Sequence, residues 1–127
     1  MAITVTAITT TAPLSATLGA VPWQVNAATD DASGCETIKA APGATSKLVV
    51  TRLWIYIGGA VTVTIGAGKS SSAVEAVLFG PVGGAAGTYW LDCRERPIEL
   101  PANKALTVDA SDTAYLCVYV EGYTKTA

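Results

Sequence analysis

Apolar and polar residues alternate with a period of two along most of this chain, the pattern of strands with one buried and one open face. Val61 to Ile65 reads Val-Thr-Val-Thr-Ile, and Ile3 to Ile8 alternates apolar residues with Thr. Long strands are predicted over Lys47–Ile57 and Thr113–Glu121. Shorter ones are predicted over Cys35–Ala40, Val74–Phe79, Thr88–Asp92, Ile98–Leu100 and Ala105–Asp109. Gly58-Gly59, Gly66 to Ser70, Gly80 to Gly87, Pro101 to Asn103 and Ala110 to Asp112 carry turn chemistry. No window joins helical spacing to helix caps. About eight strands at this spacing predict an all-β sandwich or barrel.

The first third reads differently. Met1 to Ser33 is rich in Thr and Ala, is broken by Pro13 and Pro22, and has one clear strand. Two readings stand: an extended N-terminal arm over 1–33 that lies on the domain or on a neighbour, or the first two strands of the sandwich itself. The first divides the chain into an arm, 1–33, and a sandwich, 34–127.

The faces of the two long strands carry more information. Alternation over Val49–Ile57 puts Val49, Thr51, Leu53, Ile55 and Ile57 on a core face. It puts Val50, Arg52, Trp54 and Tyr56 on the other. The last strand sorts Leu116, Val118 and Val120 from Tyr115, Cys117 and Tyr119. Aromatics and Arg are enriched at interfaces. If the two strands are neighbours, Arg52, Trp54, Tyr56, Tyr115 and Tyr119 form one outer patch, expected as a subunit interface. Ile3, Val5, Ile8 and Trp23 are the apolar side chains with which an N-terminal arm would reach a neighbouring surface.

Composition narrows the function. Half of the 127 residues are hydrophobic and 14% are charged, with a net charge of −2. So few charges suit a protein that hides surface against a partner. With no basic block, a nucleic-acid partner is not expected. No leader is read at the N-terminus, whose first cation is Lys39, and no segment reads as a membrane span.

Catalytic chemistry finds little to work with. There is no His, so no Ser or Cys nucleophile has an imidazole base. Cys35, Cys93 and Cys117 lack metal-site spacing and read as free thiols, although one disulfide stays possible. Gly66-Ala67-Gly68-Lys69-Ser70 lacks the first glycine of a phosphate loop, Val63 standing there, and reads as a hairpin turn. Lys69 beside Ser70 to Ser72 sits in a solvated turn, where it is not expected to serve as a base for those hydroxyls. Asp30-Asp31, or Asp109 with Asp112, cap turns better than they fit a calcium loop. No cofactor, metal or catalytic residue is expected.

The order of motifs resembles a known family. Leu53-Trp54-Ile55-Tyr56 leads through a glycine turn to Val61–Ile65. Leu78-Phe79-Gly80-Pro81-Val82, Pro97–Ala102 and Ala105–Val108 follow, and the chain closes on Val118-Tyr119-Val120-Glu121-Gly122-Tyr123. Over Leu48–Tyr123 this resembles the jelly-roll decoration (cement) proteins of tailed-bacteriophage capsids. The resemblance implies a jelly-roll-like antiparallel β-sandwich of about eight strands. It also implies a homotrimer, made in the host cytoplasm, that sits on the outside of the virion and clamps the major capsid protein. A carbohydrate-binding sandwich using Trp23, Trp54 and Trp90, and a tail, baseplate or head-fibre component, are the competing readings.

Overall fold

Among the described residues, ten strands form two antiparallel sheets: β1 (Thr4–Ile8), β2 (Val21–Thr29), β3 (Gly34–Lys39), β4 (Ser46–Ile57), β5 (Thr62–Ser70), β6 (Ala73–Gly83), β7 (Gly87–Asp92), β8 (Ile98–Glu99), β9 (Leu106–Ala110) and β10 (Leu116–Thr126). The computed structural model describes residues 3–8, 20–30, 34–70 and 73–127, with the side chains of Ala7 and Ile8 outside that description. One sheet runs β1-β2-β10-β4-β7, with β8 also on β4; the other runs β3-β9-β5-β6.

The pairing order defines the fold. β5 pairs with β6, β4 with β7, β3 with β9 and β2 with β10. The chain is therefore one long antiparallel ribbon folded over, with successive pairs falling in alternate sheets. That is a jelly roll, as the resemblance implies, enlarged by β1 on the edge and the short β8.

Between the sheets lie Leu48, Leu53, Ile55, Ile57, Val63, Ile65, Leu106, Val108, Leu116, Val118 and Val120, all essentially without solvent contact. Each such aliphatic side chain stabilises the fold by about 1.5–3 kcal/mol relative to exposure. Among the described residues no helix is long and apolar enough to cross a membrane.

Four expectations change. First, residues 21–29 are β2, between β1 and β10, and place Trp23, Val25 and Ala27 in the core. The break at 33/34 is thus not a packing boundary. Second, Gly66–Ser70 is not a turn: β5 runs on to Ser70, with Gly68 at φ 77° and its N–H on the Ala105 carbonyl at 2.8 Å. Third, β6 continues through Val82 and Gly83 into what reads as loop.

Fourth, β4 carries a bulge. Arg52 pairs with Glu121 but Val50 pairs with Gly122, so Thr51 is the extra residue. A bulge reverses the alternation. Val50 joins Leu48 in the core, and Val49 moves to the outer side of the sheet. The kink is held by Thr51 Oγ1 donating to the Glu121 carbonyl (3.1 Å) and by the Cys93 N–H donating to the Thr51 carbonyl (2.8 Å). Gly122 is required beside it: a Cβ there would strike the Val49 carbonyl and come within 2.8 Å of the Trp23 ring.

Candidate functional site

Past the bulge, β4 has odd residues in the core and even residues outside. The register then fixes what stands beside them. Tyr119, Trp54 and Trp90 lie side by side on β10, β4 and β7. Glu121, Arg52 and Asp92 form the next row one way, and Cys117, Tyr56 and Thr88 the next row the other way. Directly opposed residues sit about 5 Å apart at Cβ, so these rows make one continuous surface.

That surface is aromatic and open. Trp54 is 53% exposed, Tyr56 47%, Trp90 63% and Tyr115 46%. The Gly58 N–H donates to the Tyr115 carbonyl at 2.9 Å and brings Tyr115 beside Tyr56. Their rings meet edge-on, with centroids 5.9 Å apart. Single exposed apolar residues are ordinary on a protein surface, whereas a contiguous cluster marks a contact site.

Four of the charges along its border, Arg52, Glu121, Asp92 and Arg94, are already paired. Arg52 Nε and Nη2 donate to the two Glu121 carboxylate oxygens at 2.8 and 2.7 Å, and the Tyr119 hydroxyl donates to Glu121 at 2.8 Å. Arg52 foremost holds the Glu121 carboxyl below its ordinary pKa, while burial and then Glu121 push Tyr119 upward. Arg94 grips Asp92 at 2.7 and 3.0 Å and lowers its pKa likewise. Covering a charge that has kept its partner avoids the large penalty of an isolated buried ion. Arg52, Trp54 and Tyr119 line a shallow depression of about 200 Å³. A broader one runs along Trp90 to Arg96.

The five residues expected as an outer patch are thus together on one face: Arg52, Trp54, Tyr56, Tyr115 and Tyr119. Trp90 belongs with them. Its position in the alternating run Thr88–Asp92 puts it on the same side as Thr88, but only the β4–β7 register shows that the side is shared with Trp54.

Of the arm residues expected to reach a partner, Ile3, Val5 and Trp23 are described and do not share one open surface. Trp23 is in the core, its ring over Gly122 and its Nε1 without a hydrogen-bond partner among the described residues. The Lys39 ammonium stands 5.5 Å from that ring. Trp23 is therefore open neither to a capsid nor to a glycan. Ile3 packs half-buried against the core, and Val5 is exposed on edge strand β1. The side chain of Ile8 lies outside the described residues.

The remaining candidate chemistry is dispersed. Among the described residues no three His, Cys, Asp or Glu side chains gather as for a metal ion. Cys35, Cys93 and Cys117 are unpaired, and burial foremost raises each thiol pKa. Thiols shifted that way hold little thiolate and are poor nucleophiles. Lys69 and Ser70 are exposed on β5, and Asp31, Ser71 and Ser72 lie outside the described residues. The chain matches no protein-family model and no curated protein sequence.

Proposed function

We propose that this chain is a structural subunit of a phage virion, a homotrimer that decorates and stabilises the outer capsid surface by contact with the major capsid protein. The observation that carries this reading is the cluster of half-exposed aromatics on one outer face of a jelly roll, bordered by charges that already have partners. Such a face gains from being covered and loses little in desolvation. A sparsely charged chain needs such cover more than most. The capsid itself enters from the resemblance of Leu48–Tyr123 to decoration proteins. Many linked contacts per particle would let each one be weak.

The test has two parts. Sedimentation of the purified chain should give the mass of three copies, and electron microscopy of particles carrying it should place those trimers on the outer shell. A monomer at micromolar concentration, or density elsewhere on the particle, overturns the reading.

The depression lined by Arg52, Trp54 and Tyr119 favours one alternative, a carbohydrate-binding module in which a sugar ring stacks on Trp54. Glycan-array binding that Trp54→Ala abolishes, in a monomeric protein, would select it.

A further inference from the structure

We infer that the outer edge of β7 receives an extended segment of another protein as a further strand, apolar where it lies beside residues 87–91 and acidic where it reaches Arg96.

The two sides of the sandwich close differently. On one side the edge strand β3 has Cys35 and Ile38 buried. On the other, β6 and β7 end the two sheets and touch each other. There the apolar side chains that pack against the core stay half-buried: Leu78, Phe79 and Val82 on β6, Tyr89 and Leu91 on β7. Tyr89 and Leu91 stand in register with Ile55 and Leu53, which have essentially no solvent contact. The inner layer is therefore filled as far as β4 and thins at β7. A strand added to β7 would lay its own inward side chains beside Tyr89 and Leu91 and take them out of water.

The edge itself calls for a backbone. A terminal strand presents a row of unpaired N–H and C=O groups, and an extended chain supplies the matching groups. Its alternate side chains would point inward at Tyr89 and Leu91 and outward beside Trp90, which is 63% exposed, so it is apolar on both faces. Proteins guard such edges with charge or proline. β3 has Glu36 and Lys39, and β6 has Glu75 and Pro81. β7 has neither guard from Gly87 to Leu91, and its one charge, Asp92, is held by Arg94.

Charge selects the occupant. Past Asp92 the broad depression continues to Arg96. Glu95 and Arg96 have no ion pair among the described residues. Arg is enriched at interfaces and Glu depleted, and a guanidinium can hold a carboxylate with two hydrogen bonds. In the antiparallel order of both sheets, that carboxylate lies at the segment's N-terminal end. A second copy could offer β1, the other described edge without proline, but β1 has no carboxylate for Arg96.

Selection from a displayed library of random peptides, with the protein immobilised, tests this. Enriched peptides should share an apolar run preceded by Asp or Glu, and Arg96→Glu should replace that acid with Lys or Arg. A synthetic copy of an enriched peptide should slow amide exchange in β7 and leave β1 and β3 unchanged. It should bind Trp90→Ala about fivefold more weakly, the scale of one cross-strand pair. Both substituted side chains are exposed, so the variants should melt as the unsubstituted protein does. No enrichment, binding that leaves the β7 amides fast, or an acid preference that survives Arg96→Glu overturns the inference. Slow β7 amides in the isolated monomer assign the edge to this chain itself, and slowing by protein concentration alone assigns it to a second copy; either overturns the inference too. None of these outcomes changes the sedimentation mass, so the three-copy reading stands or falls separately.

Discussion

The outer face of the six-stranded sheet has two ends, divided by the bulge at Thr51, and they treat apolar surface in opposite ways. At one end Val49 points outward yet has no solvent contact. Tyr123 and Glu99 flank it in register, and Glu99 draws in Lys47 and Lys125 from the neighbouring strands, the latter at 2.8 Å. Long charged side chains can cover apolar surface while keeping their ends in water. At the other end Trp54, Tyr56, Trp90 and Tyr115 stand open, and the nearby charges pair among themselves along the border. The same sheet thus has the means to cover an outward apolar residue and uses it at one end alone. The aromatic end is left open, which is what the proposed assembly would cover.

The largest expected effect is on the division itself. Gly122→Ala would push a methyl into the Val49 carbonyl and the Trp23 ring. It should cost about 3 kcal/mol, the upper end for overpacking, and lower the urea midpoint. A stability close to that of the unsubstituted protein would show that the bulge is not what holds the two ends apart.

Next comes the open end. Trp54→Ala should leave the monomer's unfolding midpoint within about 0.5 kcal/mol, as for a surface change. It should weaken self-association by about 2 kcal/mol or more, which is the hot-spot scale. Analytical ultracentrifugation across a concentration series separates the two. Destabilisation without a change in association would make Trp54 a folding residue.

The smallest effect belongs to the covered end. Lys125 first and Lys47 second hold the Glu99 carboxyl at about 2, against an ordinary 4.5. A depressed folded pKa stabilises the protein above the unfolded value, and that contribution is lost as pH falls from 4.5 towards 2. Because the site is exposed, the effect is modest. Glu99→Gln should therefore lower the melting temperature slightly at neutral pH and make no difference near pH 2. An undiminished difference at low pH would assign the effect to something other than the ion pairs.

Alternation alone reached the all-β class and most of the strands, because core and surface residues in strands such as Leu116–Val120 differ sharply in polarity. It also grouped Arg52, Trp54 and Tyr56 with Tyr115 and Tyr119. It failed where the backbone departs from regular pleating. The bulge at Thr51 moved Val50 inward and Val49 outward, and no side chain in that apolar run signals where the extra residue falls. Glycines misled in β5, where Gly66 and Gly68 sit inside a strand: a Cβ on Gly66 would meet Val74 at 2.5 Å. Trp23 read as an arm residue because Thr and Ala around it hide the alternation of β2. Its burial depends on Gly122, nearly a hundred residues away. Trp90 was read only as a glycan contact and left out of the outer patch for a similar reason, since its neighbour Trp54 is supplied by strand pairing and not by sequence proximity.

The central claim is that the aromatic end is covered in the assembled protein and the chain alone does not cover it. Hydroxyl-radical footprinting of Trp54, Tyr56 and Trp90, at concentrations above and below the association midpoint, tests it most directly. Strong labelling of all three is predicted in the dilute monomer, and protection of all three in the trimer. Equal labelling of the aromatics at every concentration would contradict it.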